Sequence, residues 1–162
     1  NINSYNSLNE LKFIEFPKTG FIELKKMIRK ISNLRGCILL IDYGYLKSKN
    51  QNTLQSVFKH KKNSVLRNLG KADITSHINF NLLDEFFLKN GLKIKKTVTQ
   101  REFLQSLGIN KRAEIISKKM KFSDQANLYL RLKRLLSPLY MGNLFKVKLA
   151  YKFVSNKFFG FE

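Results

Sequence analysis

The strongest constraint on the fold is a continuous apolar run at residues 37–41, Cys37-Ile38-Leu39-Leu40-Ile41, which changes abruptly to Asp42-Tyr43-Gly44-Tyr45. Such a run predicts a strand that is buried on both faces, as in a parallel sheet covered by helices. The single cysteine lies within it and is expected to pack as a small apolar side chain. Because sheets of this class bind ligands beyond the carboxyl ends of their strands, Asp42, Tyr43 and Gly44 are candidates for a pocket lining.

The segment before this run has the spacing of an amphipathic helix. Its apolar residues recur at helical intervals between Thr19, which can act as an N-cap, and Gly36, which can end the helix. A helix followed by a buried strand is half of a βαβ unit, so the sequence predicts an α/β fold.

The downstream sequence supplies further strands and helices. Asn79 can cap a helix from Phe80 to about Lys89, and Thr99 with Glu102 matches a capping box that begins another helix. Residues 92–98 and 143–154 alternate between apolar and polar side chains, which predicts two strands. We therefore expect about three main strands with flanking helices, in one domain that comprises residues 1–162.

The formal net charge of +20 admits two interpretations. It can attract nucleic acid or another polyanion. It can also reflect an AT-rich coding sequence, since lysine, asparagine, isoleucine and phenylalanine are all abundant and the basic residues are scattered. Nucleic acid is thus a partner that the sequence allows without favouring. No apolar run approaches the ~18 residues of a membrane span.

Few residues carry an obvious chemical signal. The chain has neither a glycine-rich nucleotide motif nor the spacing of a zinc site, so no metal is expected. Asp73, Thr75 and His77 alternate and can share one face of an extended segment, where they could orient a substrate or move a proton. The alternative is that the side chains only make local hydrogen bonds to the backbone and that His77 is an ordinary core histidine. Gln55 and Gln100 could position a substrate, or could be ordinary surface glutamines.

Several short stretches occur in order within residues 13–150: Leu40-Ile41-Asp42-Tyr43-Gly44-Tyr45, Thr53-Leu54-Gln55-Ser56-Val57, Ala72-Asp73-Ile74-Thr75-Ser76-His77-Ile78-Asn79-Phe80, Thr99-Gln100, Phe103-Leu104, Leu107-Gly108-Ile109, Arg112-Ala113 and Met141-Gly142-Asn143-Leu144-Phe145-Lys146-Val147. Together they resemble the MidA-like methyltransferases, relatives of the mitochondrial arginine methyltransferase of complex I assembly. Lys148 departs from the family pattern, because it interrupts an apolar run.

The resemblance implies the carboxyl-terminal half of a class I methyltransferase sheet. Residues 37–43 would be its fifth strand, and residues 92–98 and 143–154 would be its last two strands. The cofactor would be S-adenosyl-L-methionine, with Asp42, Tyr43 and Gly44 along its pocket. The glycine-rich turn that binds it would lie before Asn1. We expect the chain by itself to be inactive and to need that amino-terminal half as a partner.

The resemblance also implies a function, which is transfer of a methyl group to a protein, on arginine, linked to respiratory complex I assembly. The protein substrate would then be a complex I subunit. The location would be the cytoplasm in a bacterium and the mitochondrial matrix in a eukaryote. The alternative is a non-catalytic assembly module that docks on a protein partner or on RNA through its basic surface.

Overall fold

The computed structural model of the chain describes residues 2–153 and 157–161. Its helices, after two short 3₁₀ turns, are α1 (Lys18–Asn33), α2 (Phe80–Lys89), α3 (Gln100–Ser106), α4 (Ile109–Ser117), α5 (Phe122–Leu136) and α6 (Met141–Leu144). Its strands are β1 (Cys37–Tyr45), β2 (Gln55–Phe58), β3 (Lys61–Asn63), β4 (Asp73–Thr75), β5 (Ile78–Asn79), β6 (Lys93–Ile94), β7 (Val98–Thr99) and β8 (Phe145–Tyr151). The predicted α/β class is confirmed.

The main sheet is built around β1 and β8. These two strands are antiparallel and pair over seven residues, from Cys37 opposite Tyr151 to Tyr43 opposite Phe145. On the other edge of β1, β5 runs parallel and pairs only at Gly44 and Tyr45. The rest of that edge, from position 37 to 43, has no strand partner among the described residues.

A second, smaller sheet lies outside the first. Its three antiparallel strands are in the order β3-β2-β4. Residues 73–79, predicted as one extended segment, are therefore divided: β4 belongs to the small sheet, and β5 belongs to the main sheet.

The core lies between the main sheet and helices α1 and α2. Phe80 and Phe87 of α2 are fully buried there, together with Ala150 of β8. The ring of Phe21 in α1 stacks on that of Phe86 in α2, with 4.0 Å between their centroids. Burial of these side chains removes a large apolar area from water, and this is the main stabilising contribution to the fold.

The opposite face of β1 is open, so its predicted burial on both faces is wrong. Leu39 and Ile41 are 48% and 47% exposed, and Cys37 is exposed rather than packed. Their cross-strand neighbours Leu149 and Val147 are buried. Because directly paired residues share a face, this face of the sheet is covered over β8 and open only along β1.

The predicted ends of the other helices and strands are only partly confirmed. The helix predicted from Phe80 to Lys89 is confirmed, with the Asn79 side chain accepting a hydrogen bond from the amide of Leu82. Thr19 is not an N-cap, because α1 already begins at Lys18, after Pro17. The strand at residues 92–98 is present only as β6 and β7, with 95–97 between them. The last strand ends at Tyr151 in β8, and Val154, which was included in the prediction, lies outside the described residues.

The capping box at α3 is also confirmed. The Thr99 hydroxyl accepts from the amide of Glu102, whose carboxylate accepts from the amide of Thr99 at 2.7 Å. The bonds that the Thr99 amide and hydroxyl donate to the Glu102 carboxylate hold the pKa of Glu102 below its usual value, because they stabilise the charged form. Within the described residues no helix is both long and apolar enough to cross a bilayer.

Replacing Thr99 by alanine removes one half of this box. The free energy of unfolding is expected to fall by about 1 kcal/mol, as for other lost N-caps, in a urea titration followed by circular dichroism. The control is Ser123→Ala, since this exposed serine lies in the first turn of α5 without capping it. An equal loss in both variants would contradict a specific role of the box.

Candidate functional site

The carboxyl end of β1 lies at the junction of the two sheets. The Tyr43 ring meets the His77 ring edge-on, with 5.4 Å between centroids, and the Phe145 ring in the same manner at 5.5 Å. Asp42 is half-buried, and its carboxylate accepts a hydrogen bond from the amide of Tyr43 at 2.8 Å. An aromatic and acidic surface therefore forms where α/β folds bind their ligands.

Gly44 is required by the packing of β1 against β5. A Cβ atom at this position would clash with the carbonyl oxygen of Ile78 and would lie 2.8 Å from the Phe80 ring. Only a residue without a side chain allows the backbones of the two strands to approach so closely. Packing between β1 and β5 therefore explains why position 44 is a glycine. The predicted contact of Gly44 with a cofactor stays a prediction.

A cavity of about 670 Å³ opens beside this junction, between α1, β1 and the start of α2. Its floor includes Phe21, Leu82 and Leu83, which are at least nine-tenths buried. Phe13 and Leu54, which are 44% and 50% exposed, mark its mouth. The cavity is mainly apolar with a few polar groups, which is the usual character of a ligand site.

A hydrogen-bonded chain of three residues fixes one wall of the cavity. The Glu15 carboxylate accepts from the Thr53 amide at 3.0 Å and from the Thr53 hydroxyl at 2.6 Å. The same hydroxyl accepts from the amide of His77 at 2.9 Å. Glu15 and His77 both line the cavity, so three segments distant in sequence are held together at its rim.

Of the predicted catalytic candidates, the structure brings only His77 to the cavity. Asp73 and Thr75 lie on β4 in the small sheet, where Asp73 is exposed. The three side chains do not share one face of a continuous strand, because the segment changes sheets at Ser76 and His77.

The two predicted substrate-binding glutamines lie apart from each other. Gln55 is half-buried on β2, opposite Thr75. Gln100 is buried at the start of α3, and its amide donates to the Leu135 carbonyl at 2.9 Å. That bond ties α3 to the end of α5. Neither glutamine is among the cavity-lining residues, and their role in binding stays a prediction.

Sequence reasoning missed Glu15, Thr53 and Tyr45. Burial raises the pKa of the Tyr45 phenol, and the negative charge of nearby Glu15 raises it further. No local pattern marks these residues, since Glu15 and Thr53 are 38 positions apart and meet only in the folded chain. Glu15 alone lies near a local signal, because Pro17, two positions later, indicates a turn.

The predicted cofactor-binding residues Asp42, Tyr43 and Gly44 are not among the residues that line the cavity, and their role in a cofactor site stays a prediction. None of the described residues forms a cluster of three metal-binding side chains. The eight glycines are dispersed, so the chain contains no glycine-rich turn that could hold S-adenosylmethionine by its backbone. Asp42 and Tyr43 offer a carboxylate and an aromatic face at the strand end, and these can line such a site without forming all of it.

Comparison with known proteins decides the family. A sequence profile of S-adenosyl-L-methionine-dependent methyltransferases matches residues 3–98, which is more than half of the chain. The chain belongs to this methyltransferase family. The resemblance to MidA-like proteins is thereby confirmed, and S-adenosylmethionine is the cofactor of the family, as that resemblance predicted.

Curated relatives of this methyltransferase chain are mitochondrial proteins. It is 33% identical over 96 residues to the protein arginine methyltransferase NDUFAF7 homolog, mitochondrial, of Caenorhabditis elegans, covering 59% of this chain and 22% of the relative. It is 28% identical over 135 residues to the protein arginine methyltransferase NDUFAF7, mitochondrial, of Danio rerio, covering 83% and 32%. The chain thus matches between about a fifth and a third of the length of these relatives.

Solved structures support the fold of the methyltransferase chain. A Burkholderia thailandensis protein bound to S-adenosyl-homocysteine superposes with a TM-score of 0.65 at 23% identity, over 85% of this chain and 36% of that one. A second structure from the same organism gives the same TM-score. The predicted carboxyl-terminal half of a class I methyltransferase sheet agrees with this partial coverage.

Proposed function

We propose that this chain supplies the acceptor side of a methyltransferase that modifies arginine in a protein substrate. The observation that carries the proposal is the cavity between α1, β1 and the start of α2, which His77 and Glu15 border. The family match supports S-adenosylmethionine as the methyl donor, and the similarity to mitochondrial protein arginine methyltransferases supports arginine as the acceptor.

When bound, S-adenosylmethionine supplies an activated methyl group, so the protein needs little acid or base strength. Its task is to hold the acceptor nitrogen in line and without water. The apolar floor of the cavity excludes water from a side chain that enters it. His77, packed against Tyr43 and fixed through its amide by Thr53, would orient the acceptor nitrogen.

The donor side would require residues beyond those in this chain. Asp42 and Tyr43, together with the Gly44 backbone, would form the wall nearest to the cofactor. The open face of β1, with Leu39 and Ile41, would be covered by the amino-terminal half of the same fold. In this proposal, the chain alone is inactive and the joined halves are active.

The proposed substrate is a subunit of respiratory complex I, as the family resemblance implies. The corresponding location would be the mitochondrial matrix in a eukaryote, which agrees with the mitochondrial designation of the relatives, or the cytoplasm in a bacterium.

Replacing His77 by glutamine tests the acceptor side. In the joined protein, which is this chain together with the amino-terminal half that the proposal requires, methyl transfer is expected to fall by up to about 10²-fold, the cost of a misplaced reacting group. Turnover is measured as S-adenosylhomocysteine release. The matched control is Asp73→Asn, which alters an exposed side chain of β4 and should leave turnover unchanged. Unchanged turnover in the His77 variant would remove this residue from the site.

A further inference from the structure

Glu15 stands out because of its electrostatic surroundings. The chain carries 31 lysines and arginines against 11 aspartates and glutamates. Glu23, Asp84 and Glu114 each form an ion pair with lysine. Glu15 has no lysine, arginine or histidine nitrogen within 4.0 Å among the described residues, and it is the only acid among the described residues that line the cavity. Other described acids, such as Asp42 and Asp73, also lack an ion pair, but Glu15 alone of the described acids lines the cavity. The cavity therefore holds one negative group in a strongly positive chain.

The Glu15 carboxylate is fixed in orientation and retains capacity to bind a ligand. Each of its two oxygens accepts one hydrogen bond from Thr53. A carboxylate offers about four acceptor positions, so about two remain. Because Thr53 already holds the side chain in place, binding a ligand costs little further conformational entropy.

The walls beside Glu15 suit a long cationic side chain. Phe13, Phe16 and Pro17 lie next to it in sequence and line the cavity, as does Leu54 on the facing loop. Such walls cover the methylene groups of a side chain, while aromatic rings attract its cationic end.

We propose that Glu15 binds the guanidinium group of the acceptor arginine at the mouth of this cavity. The inference rests on the proposed function and gives that function a specificity residue. A guanidinium matches a carboxylate in shape and charge through parallel N–H···O bonds, and its weak hydration eases its entry into an apolar cavity.

The test measures binding of two peptides that differ in one charge. The probes are acetyl-Gly-Arg-Gly-amide and the same peptide with citrulline, which keeps the shape of arginine but is neutral. In calorimetric titrations of the joined protein, the arginine peptide is expected to bind at least about tenfold more tightly, as for one charge-assisted hydrogen bond. Glu15→Gln should abolish that preference.

Two variants distinguish recognition of arginine by the Glu15 carboxylate from the role of Glu15 in holding the loops together. Glu15→Gln keeps an oxygen that can accept from Thr53, so the loops should stay in place. Thr53→Val removes the hydroxyl that bonds to Glu15 and His77 but retains the carboxylate. We expect Thr53→Val to weaken the binding of both peptides, because Glu15 and His77 are held less firmly, and to preserve the preference for arginine over citrulline. A preference that survives in Glu15→Gln, or that Thr53→Val abolishes equally, would overturn the proposal.

Methylation of the peptide, read by mass spectrometry, distinguishes this inference from the proposed function. Glu15-dependent binding of arginine without any methyl transfer would support the binding site and contradict the proposed function. Arginine methylation at the same rate in the wild type and in Glu15→Gln would support the function and overturn the role of Glu15.

Discussion

Replacing Lys148 by alanine is expected to lower the free energy of unfolding by about 3 kcal/mol, the lower end of the range for a broken buried ion pair, because the Asp84 side chain left behind is 27% exposed. The Lys148 side chain is fully buried on β8. Its ammonium lies 2.7 Å from the Asp84 carboxylate and donates to the Lys95 carbonyl at 2.7 Å. Burial lowers the pKa of Lys148 and raises that of Asp84, while the contact between the two groups opposes both changes.

The measurement is a urea titration at neutral pH of wild type and variants. Lys152→Ala is the matched control, since this lysine follows the same strand and its bond to the Gly91 carbonyl is exposed. In Lys152→Ala the free energy of unfolding should fall by no more than about 0.5 kcal/mol. The double variant Lys148→Met with Asp84→Leu should recover most of the stability, because an apolar pair of similar volume avoids the desolvation cost. A loss below 1 kcal/mol in Lys148→Ala would contradict this account.

Replacing Gly44 by alanine is expected to cost about 1–3 kcal/mol, the usual range for added volume in a packed core. The new methyl group would clash with backbone atoms of Ile78, which cannot rotate away as a flexible side chain could. Separation of β1 from β5 would also displace Tyr43 and His77, whose rings meet at this junction. Methyl transfer by the joined protein should therefore fall together with stability.

Gly20→Ala is expected to have the opposite effect on the stability of the same protein. Gly20 lies in α1, and a Cβ atom there would meet only the Pro17 Cβ, at 3.7 Å. Alanine should stabilise this helix by about 0.5–1 kcal/mol, since it has less conformational freedom to lose. Both variants are compared by thermal unfolding. If Gly44→Ala is as stable as the wild type, then β1 and β5 do not approach each other as closely as described above.

Local patterns predicted the elements whose signals lie within a few residues. Asn79 and Thr99 cap their helices as expected, because a cap depends on side chains that reach backbone groups three positions away. The apolar run at Cys37 and the alternation at Phe145 indicated the two long strands. The family resemblance added their place in a methyltransferase sheet.

Long-range pairing was not visible in the sequence. In sequence, residues 73–79 resemble one strand. In the structure, residues 73–75 pair with β2 and residues 78–79 pair with β1, so Asp73 and His77 do not lie on one strand. The contact of Glu15 with Thr53 depends on the same arrangement. Burial of Leu39 and Ile41 was predicted from apolarity alone, although the exposure of a strand depends on what packs against it.

The most direct test of the central claim is a calorimetric titration of S-adenosylmethionine into two proteins. One is this chain, and the other is the joined protein, in which the amino-terminal half that the proposal requires precedes this chain. We expect binding only by the joined protein, because this chain offers one wall of the site and no glycine-rich turn. Absence of binding in both proteins would contradict a methyltransferase function and would favour the non-catalytic assembly module.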